Sequence, residues 1–455
     1  MATQIEATPA DLVGIGDELW RPFTQHALRQ PPLVMVEGHG CTVVDESGKE
    51  YIDAMAGLWC VNVGFGQERL VEAAARQMRQ LPYTPLSRPA RPSLELAHRL
   101  AGVLPGTLNH VVFVNSGSEA VETALKIARQ YVQQQYPYQN RTKIIARYRG
   151  YHGWTMGALG ATGQYVRKTR FEPLLPGFLH VRPPDTFRLF AGMTPSAAAH
   201  LLAEELEQVI EFEGPESIAA FIGEPVIGGG GVIVPPDEYW PLIRQVCDKY
   251  GILLIQDEVI TGFGRTGTMF GCQHWGIVPD IMTMAKGISS AYIPLAATAV
   301  TDAVFAAFLG DPKDNVQFNQ LSTYGGHPVA CAVGLENLNI IEEDGLVANA
   351  AAMGDRLRDG LRAVQGHRDV VGEVRGKGLL VGVELAMPGT TDPLPAEQVN
   401  RVIAAAQKNG VIVGKNSATV PRLECVITLS PPLVITAPEI DRIVEALDAA
   451  LGEIG

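Results

Sequence analysis

Lys286 closes an apolar run, Met282-Thr283-Met284-Ala285, and is followed at once by Gly287. Lysine is seldom buried unless its ammonium is paired or used. At the end of a buried strand it suits Schiff-base chemistry. A second run, Ile252-Leu253-Leu254-Ile255-Gln256, ends in Asp257-Glu258. The carboxyl ends of strands in open α/β sheets are where ligands bind. An aspartate there stays ionised only beside a cation, and a protonated ring nitrogen could be that cation. A third segment, Asn115-Ser116-Gly117-Ser118-Glu119-Ala120, follows the apolar run Val111 to Val114. Ser116 and Glu119 have capping-box spacing, Gly117 admits close backbone approach, and free amides at a helix start bind phosphate.

Two further segments could complete such a site. Tyr151-His152-Gly153 follows the strand candidate Lys143 to Arg147, and an aromatic ring there could stack on a planar cofactor. Ser322-Thr323-Tyr324-Gly325-Gly326-His327-Pro328 sets two glycines between hydroxyl residues and a proline that can start a helix. Each segment, taken alone, also has a plainer reading: a well-capped helix, a strand-end cap at Asp257, a surface lysine, a packed tyrosine, an ordinary turn.

The elements that would position these residues alternate through the middle of the chain. Val111 to Val114, Lys143 to Arg147, Ile218 to Ile222, Ile252 to Gln256 and Ile281 to Met284 read as buried strands. Helical patterns such as Ala198 to Phe212 and Glu238 to Tyr250 lie between them. Near-continuous apolar strands separated by amphipathic helices predict a mostly parallel sheet covered on both faces, an α/β fold. After His327 the texture changes to a smaller α+β unit. It has helices over Val329 to Ile341, Val347 to Leu361 and Ala396 to Lys408, and a strand over Gly378 to Leu385. Its last helix opens with a capping box, Thr436 and Glu439, and carries Ile440, Ile443, Val444, Leu447 and Leu451 on one face. A strand pair around Met35 to Val44, with a turn at Glu46 to Gly48, should pack against that unit. The expected division is 1–66, an N-terminal segment packing with the small domain; 67–326, a large cofactor-binding domain; and 327–455, the small domain.

Composition narrows the function classes. In 455 residues, 46% are hydrophobic, enough for a sizeable core, and 36 basic against 49 acidic residues give a net charge of −13. That balance argues against nucleic acid or an anionic membrane as a partner held by bulk charge. The six cysteines form no CxxC pair, which reads as buried thiols in a reducing compartment and no metal site. The first residues lack the basic and apolar regions of a leader, and no run reaches the roughly 18 apolar residues of a membrane span. The expectation is a soluble, cytoplasmic protein.

The order and spacing of the five segments resemble the class III (subgroup II) aminotransferases, the ω-aminotransferases of fold type I that use pyridoxal phosphate. The resemblance runs from Trp20-Arg21-Pro22-Phe23 to Pro431-Pro432-Leu433. It implies that Lys286 is the Schiff-base lysine and that Asp257 pairs with the pyridine nitrogen. It implies that Gly117 and Ser118 hold the phosphate, and that Tyr151 and Val259 cover the two ring faces. By the same resemblance Thr323 reaches the phosphate of the neighbouring subunit, in a homodimer or homotetramer with shared sites. Glu224, in Gly223-Glu224-Pro225, braces the site.

Within that class the chain is similar to the ω-amino acid–pyruvate enzymes, including the β-alanine–pyruvate and taurine–pyruvate types. Gly57-Leu58-Trp59, Gly229 to Pro236 and Arg375 to Leu379 fit them, as does Arg422 near the place of a mobile carboxylate-binding arginine. Trp59, Phe23 and Arg422 are thereby implied as substrate-binding residues. Ornithine and γ-aminobutyrate enzymes typically carry Gln after Asp-Glu-Val, where this chain has Ile260. The implied activity is ping-pong transfer of an amino group from a small-molecule amine, such as taurine or β-alanine, to a keto acid, pyruvate. Same-scaffold isomerases (an aminomutase or amino-lactam racemase) and decarboxylases use the same lysine and remain alternatives. A dinucleotide-binding reading of Gly228 to Gly231 lacks the spaced glycine pattern opening a helix.

Overall fold

The computed structural model describes residues 18–28 and 31–454. Near the N-terminus, β1 (Met35–His39), β2 (Thr42–Asp45) and β3 (Glu50–Asp53) form an antiparallel meander. The expected turn at Glu46 to Gly48 is held by Asp45, whose carboxylate accepts from the Ser47 amide at 2.9 Å and from the Ser47 hydroxyl at 2.6 Å.

The central sheet contains β4 (His110–Val114), β5 (Lys143–Arg147), β6 (Phe178–Val181), β7 (Ile218–Gly223), β8 (Leu253–Asp257), β9 (Ile281–Met284) and β10 (Ala296–Val300). Its order is β4-β10-β9-β8-β7-β5-β6. All pairs from β9 to β6 are parallel, while β10 runs antiparallel to both β4 and β9. Every residue of β7, β8, β9 and β10 is buried, as expected of strands covered on both faces. The helices Gly117–Gln135, Pro195–Glu213 and Tyr239–Tyr250 provide that cover. Tyr239–Tyr250 ends on Gly251 in the left-handed conformation (φ 62°), which glycine adopts at no steric cost.

The C-terminal unit contains β11 (Val371–Lys377), β12 (Leu380–Leu385), β13 (Val411–Ile412), β14 (Gly414–Lys415) and β15 (Val426–Leu429). Four of these form the sheet β11-β12-β15-β14. The strand expected over Gly378 to Leu385 begins at Leu380. Gly378 lies at φ 51° and turns the chain between β11 and β12, so the first two residues belong to the hairpin turn. The capping box at Thr436 forms, with the Thr436 amide donating to Glu439 Oε2 at 2.8 Å.

We keep the three-part division expected from the sequence as a proposal, and two contacts bear on it. β13 pairs in parallel with β3, Val411 opposite Ile52, so the N-terminal meander is completed by a C-terminal strand. The helix Pro328–Glu343 packs on Glu68–Gln80 and Arg91–Val103. No helix among the described residues is long and apolar enough to cross a membrane.

Candidate active site

β8 and β9 lie side by side, with Asp257 opposite Thr283. Asp257 ends β8, and Lys286 follows β9 after Ala285, so both residues lie at the carboxyl end of the two parallel strands. Asp257 is 3% exposed. Its Oδ1 accepts from the Val259 amide and the Thr283 hydroxyl, each at 3.1 Å, and its Oδ2 lies 2.8 Å from His152 Nδ1. An ionised carboxylate only accepts hydrogen bonds, so the imidazole presents Nδ1–H to it. His152 Nε2 is buried with no partner among the described residues. Lys286 opens a short 3₁₀ turn at φ 46°. The left-handed region costs a non-glycine residue about 1–2 kcal/mol, strain of a kind that concentrates at functional sites.

The helix Gly117–Gln135 starts beside these two residues. Ser116 is its N-cap, with Oγ accepting from the Glu119 amide at 3.2 Å, and Glu119 reaches back to the Asn115 amide at 2.6 Å. The Gly117 and Ser118 amides donate no hydrogen bond among the described residues. Two free N–H groups at the positive end of a 19-residue helix could hold an anion. A Cβ on Gly117 would stand 3.0 Å from Val259 Cγ1, so glycine keeps this wall clear. Ser118 Oγ accepts from the Trp154 amide at 3.1 Å and fixes the loop that carries Tyr151 to Gly153.

Glu224 secures that loop from the other side. Its carboxylate accepts from the Tyr151 amide at 3.0 Å and from the Gly228 amide at 2.9 Å. Burial pushes the Glu224 carboxyl above the usual carboxylate range, opposed by the nearby His152 and by these two amides. Burial likewise raises the Tyr151 phenol.

One cavity of about 360 Å³ is lined by Gly117, Ser118, Tyr151, Glu224, Asp257, Val259 and Lys286. Seven residues from five separate stretches of sequence thus converge. The other four expected site residues do not line it. Trp59 is flanked by Leu58 and Cys60, which do line it, while its own indole nitrogen is buried and has no partner among the described residues. Phe23 is 80% exposed. Thr323 is exposed, and its carbonyl accepts from the Tyr83 hydroxyl at 2.8 Å. Arg422 is exposed at φ 75° and lines a different groove with Pro393, Leu394 and Glu424.

Residues 23–451 match the family model described as Aminotransferase class-III. The chain belongs to the class-III aminotransferases. This family works with pyridoxal phosphate on a fold of type I, the architecture described above. The chain is 46% identical over 433 residues to an uncharacterized aminotransferase of Bacillus subtilis, covering 93% of this chain and 94% of that protein. It is 40% identical to the taurine–pyruvate aminotransferase of Bilophila wadsworthia, covering 97% of each. Among solved structures it is similar to a thermostable (S)-enantioselective omega-transaminase from Thermomicrobium roseum. There the TM-score is 0.92 and the identity 44%, with 98% of each chain covered.

Sequence reasoning missed several residues of this aminotransferase site. His152 sat in a motif chosen for its tyrosine neighbour, and its pairing with Asp257 spans 105 positions. Thr283 lies on the strand leading to Lys286, where period-2 alternation places it on the face of Asp257. Leu58 sat in a motif chosen for Trp59, and Cys60 and Trp154 line the cavity without any local signal.

Proposed function

We propose that this enzyme is a pyridoxal-phosphate-dependent ω-aminotransferase. It would move an amino group from an ω-amino acid or primary amine, such as taurine or β-alanine, to pyruvate in two alternating half-reactions. The observation that carries this reading is the meeting of Lys286, Asp257 and the free Gly117 and Ser118 amides around one cavity. The donor set fits the cofactor. The amides suit its phosphate, Asp257 its ring nitrogen, and the Val259 and Tyr151 side chains its two faces. Bound there, pyridoxal phosphate would supply an electron sink and a carbon that accepts and returns the amino group.

The chain's own residues supply the rest. Asp257, fixed by three hydrogen bonds, would keep a proton on the ring nitrogen. Lys286 Nζ would take a proton from the carbon that bears the amine and deliver it again, as general base and then acid. Leu58 and Ile260 would exclude water from one side of the cavity. Arg422, outside the cavity on a flexible side chain, would swing in to meet the pyruvate carboxylate, because a guanidinium matches a carboxylate bidentately. The exposed position of Thr323 supports a role at a second subunit's site, and hence at least a homodimer.

The proteins reported above as similar are described as aminotransferases or transaminases, which does not favour the isomerase alternative. The test is a panel of amines incubated with pyruvate and the cofactor-loaded enzyme, following alanine. Alanine formation with matching loss of the donor amine supports the reading. Rearranged or racemised donor with no alanine would replace it with an isomerase.

A further inference from the structure

Arg167 stands against Tyr151, a residue of the cavity wall, with no acid paired to its charge among the described residues. It lies on the short helix Tyr165–Lys168. Its guanidinium sits 4.9 Å from the centroid of the Phe23 ring and 4.8 Å from that of Tyr151, and Tyr151 lines the cavity. Two aromatic rings at this range attract a cation, and the attraction grows as water is removed. They hold the group in place without neutralising it.

Its hydrogen bonds do not neutralise it either. Nε donates to the amide oxygen of Gln164 at 2.7 Å, and Nη2 to the carbonyl oxygen of Ser417 at 3.5 Å. Gln164 is fully buried, and its own amide nitrogen donates to the Arg149 carbonyl at 3.0 Å, so the support is itself fixed. Among the described residues no carboxylate lies within ion-pair distance of Arg167, and Nη1 donates to nothing. The acid that acts on it from further away is Glu424. That carboxylate already accepts from the Ala418 amide at 2.8 Å and lies 3.8 Å from Lys415 Nζ. A half-buried, prepositioned cation without a paired acid, stacked on a ring of the cavity wall, is a place for an anion from outside the chain.

We propose that Arg167 holds the acidic end of the amino donor, so that this site selects ω-amino acids carrying a sulfonate or a carboxylate opposite the amine. The inference rests on the aminotransferase reading above and names the donor class within it. Arg422, which serves pyruvate in that reading, lines a groove outside the cavity with Val166 and Glu424, so in this proposal the two half-reactions use different cations. A diamine would bring a second positive charge against Arg167 and be disfavoured by the same field.

The test uses the cofactor-loaded enzyme and the variants Arg167→Gln and Arg167→Lys. Single-turnover half-reactions are run with taurine, β-alanine and butylamine in the absence of pyruvate. Binding of ethanesulfonate and propionate, which lack the amine, is measured in parallel by calorimetry. The expected result is that Arg167→Gln weakens taurine and β-alanine by about 10–100-fold more than it weakens butylamine. It should weaken ethanesulfonate or propionate by a similar factor, with Arg167→Lys intermediate. Taurine with ethanesulfonate, against β-alanine with propionate, tells which anion the site prefers. Equal losses for all three donors would make Arg167 a structural support and overturn the proposal. Unchanged donors with unchanged anion binding would do the same. Anion binding that depends on Arg167, in an enzyme that forms no alanine from any donor, would keep the anion site and reject the aminotransferase–pyruvate reading instead.

Discussion

Asp257 and His152 meet at 2.8 Å between Oδ2 and Nδ1, both 3% exposed, at the point where β8 ends. The imidazole supplies one of three hydrogen bonds to the carboxylate, and the other two come from Val259 and Thr283. Asp257→Asn removes the negative charge and should cost on the order of 10²–10³ in the rate of alanine formation while cofactor still binds. His152→Phe removes one donor of the three. It should cost about 10–100-fold, the scale of a hydrogen bond to a charged group. Near-normal turnover in Asp257→Asn would reduce that residue to a strand-end cap.

Lys286 should carry the cofactor. Borohydride treatment of the yellow enzyme, followed by peptide mapping, is expected to place the reduced adduct on Lys286. Lys286→Ala should lose the adduct and the activity together. An adduct on a different lysine would refute the assignment.

Gly117→Ala should loosen the cofactor without unfolding the protein. Alanine is the better helix former, but its Cβ would press on Val259 Cγ1 at 3.0 Å, beside the free amides. We expect cofactor affinity to fall about tenfold, read by fluorescence titration, with a melting temperature within a few degrees of the parent. Unchanged affinity would mean that Val259 gives way freely.

Arg422→Ala should weaken pyruvate by roughly 2–4 kcal/mol, as for a lost charged partner. The half-reaction with an uncharged amine should lose far less. Equal losses in the two half-reactions, measured in single turnovers, would remove Arg422 from the acceptor site.

His180 gives the fold a pH signature of its own. Burial, assisted by nearby Lys168 and His152, lowers its imidazole from 6.5 to about 4. The native state therefore binds fewer protons than the unfolded chain below pH 6.5. Stability should fall as the pH drops from about 6.5 toward 4, then stop responding to this group. The contribution is about 1–3 kcal/mol. His180→Gln should flatten that part of a urea-denaturation pH profile.

The strands that carry the site were legible because they are apolar throughout and end in residues of a different kind. Lys143–Arg147 and Ile281–Met284 match their expected bounds. The capped helix starts at Ser116 and Thr436 were legible for a local reason, since the bonds span three residues. β10 was not read, because Ala296 to Val300 is a run of mostly small residues whose antiparallel direction is set by its neighbours. β11 was hidden by Glu373 and Arg375, which look like surface charges. In the structure Arg375 is half-buried between Glu373 and Glu384, at 2.5 Å from each. Arg167 carried no signal at all. Its proposed role depends on Phe23, Tyr151 and Ser417, which come to it from other parts of the chain, and on there being no acid beside it among the described residues.

The parallel pairing of β3 with β13 bears on the order in which the protein can be made. Ile52 leaves the ribosome early, yet its partner Val411 is about 360 residues behind, on the order of 20–70 s at ordinary elongation rates. Throughout that interval the β3 edge displays unpaired backbone groups, a template for adventitious strand pairing. The Ile52 amide has no native acceptor until Gly410 arrives, at 2.9 Å, and the Ala54 amide, which can turn back on the Ile52 carbonyl at 3.2 Å, gains Ile412 at 2.9 Å only then. The first strands to be synthesised are among the last to be secured, so a chain truncated before β13 would fail at its beginning as well as at its end.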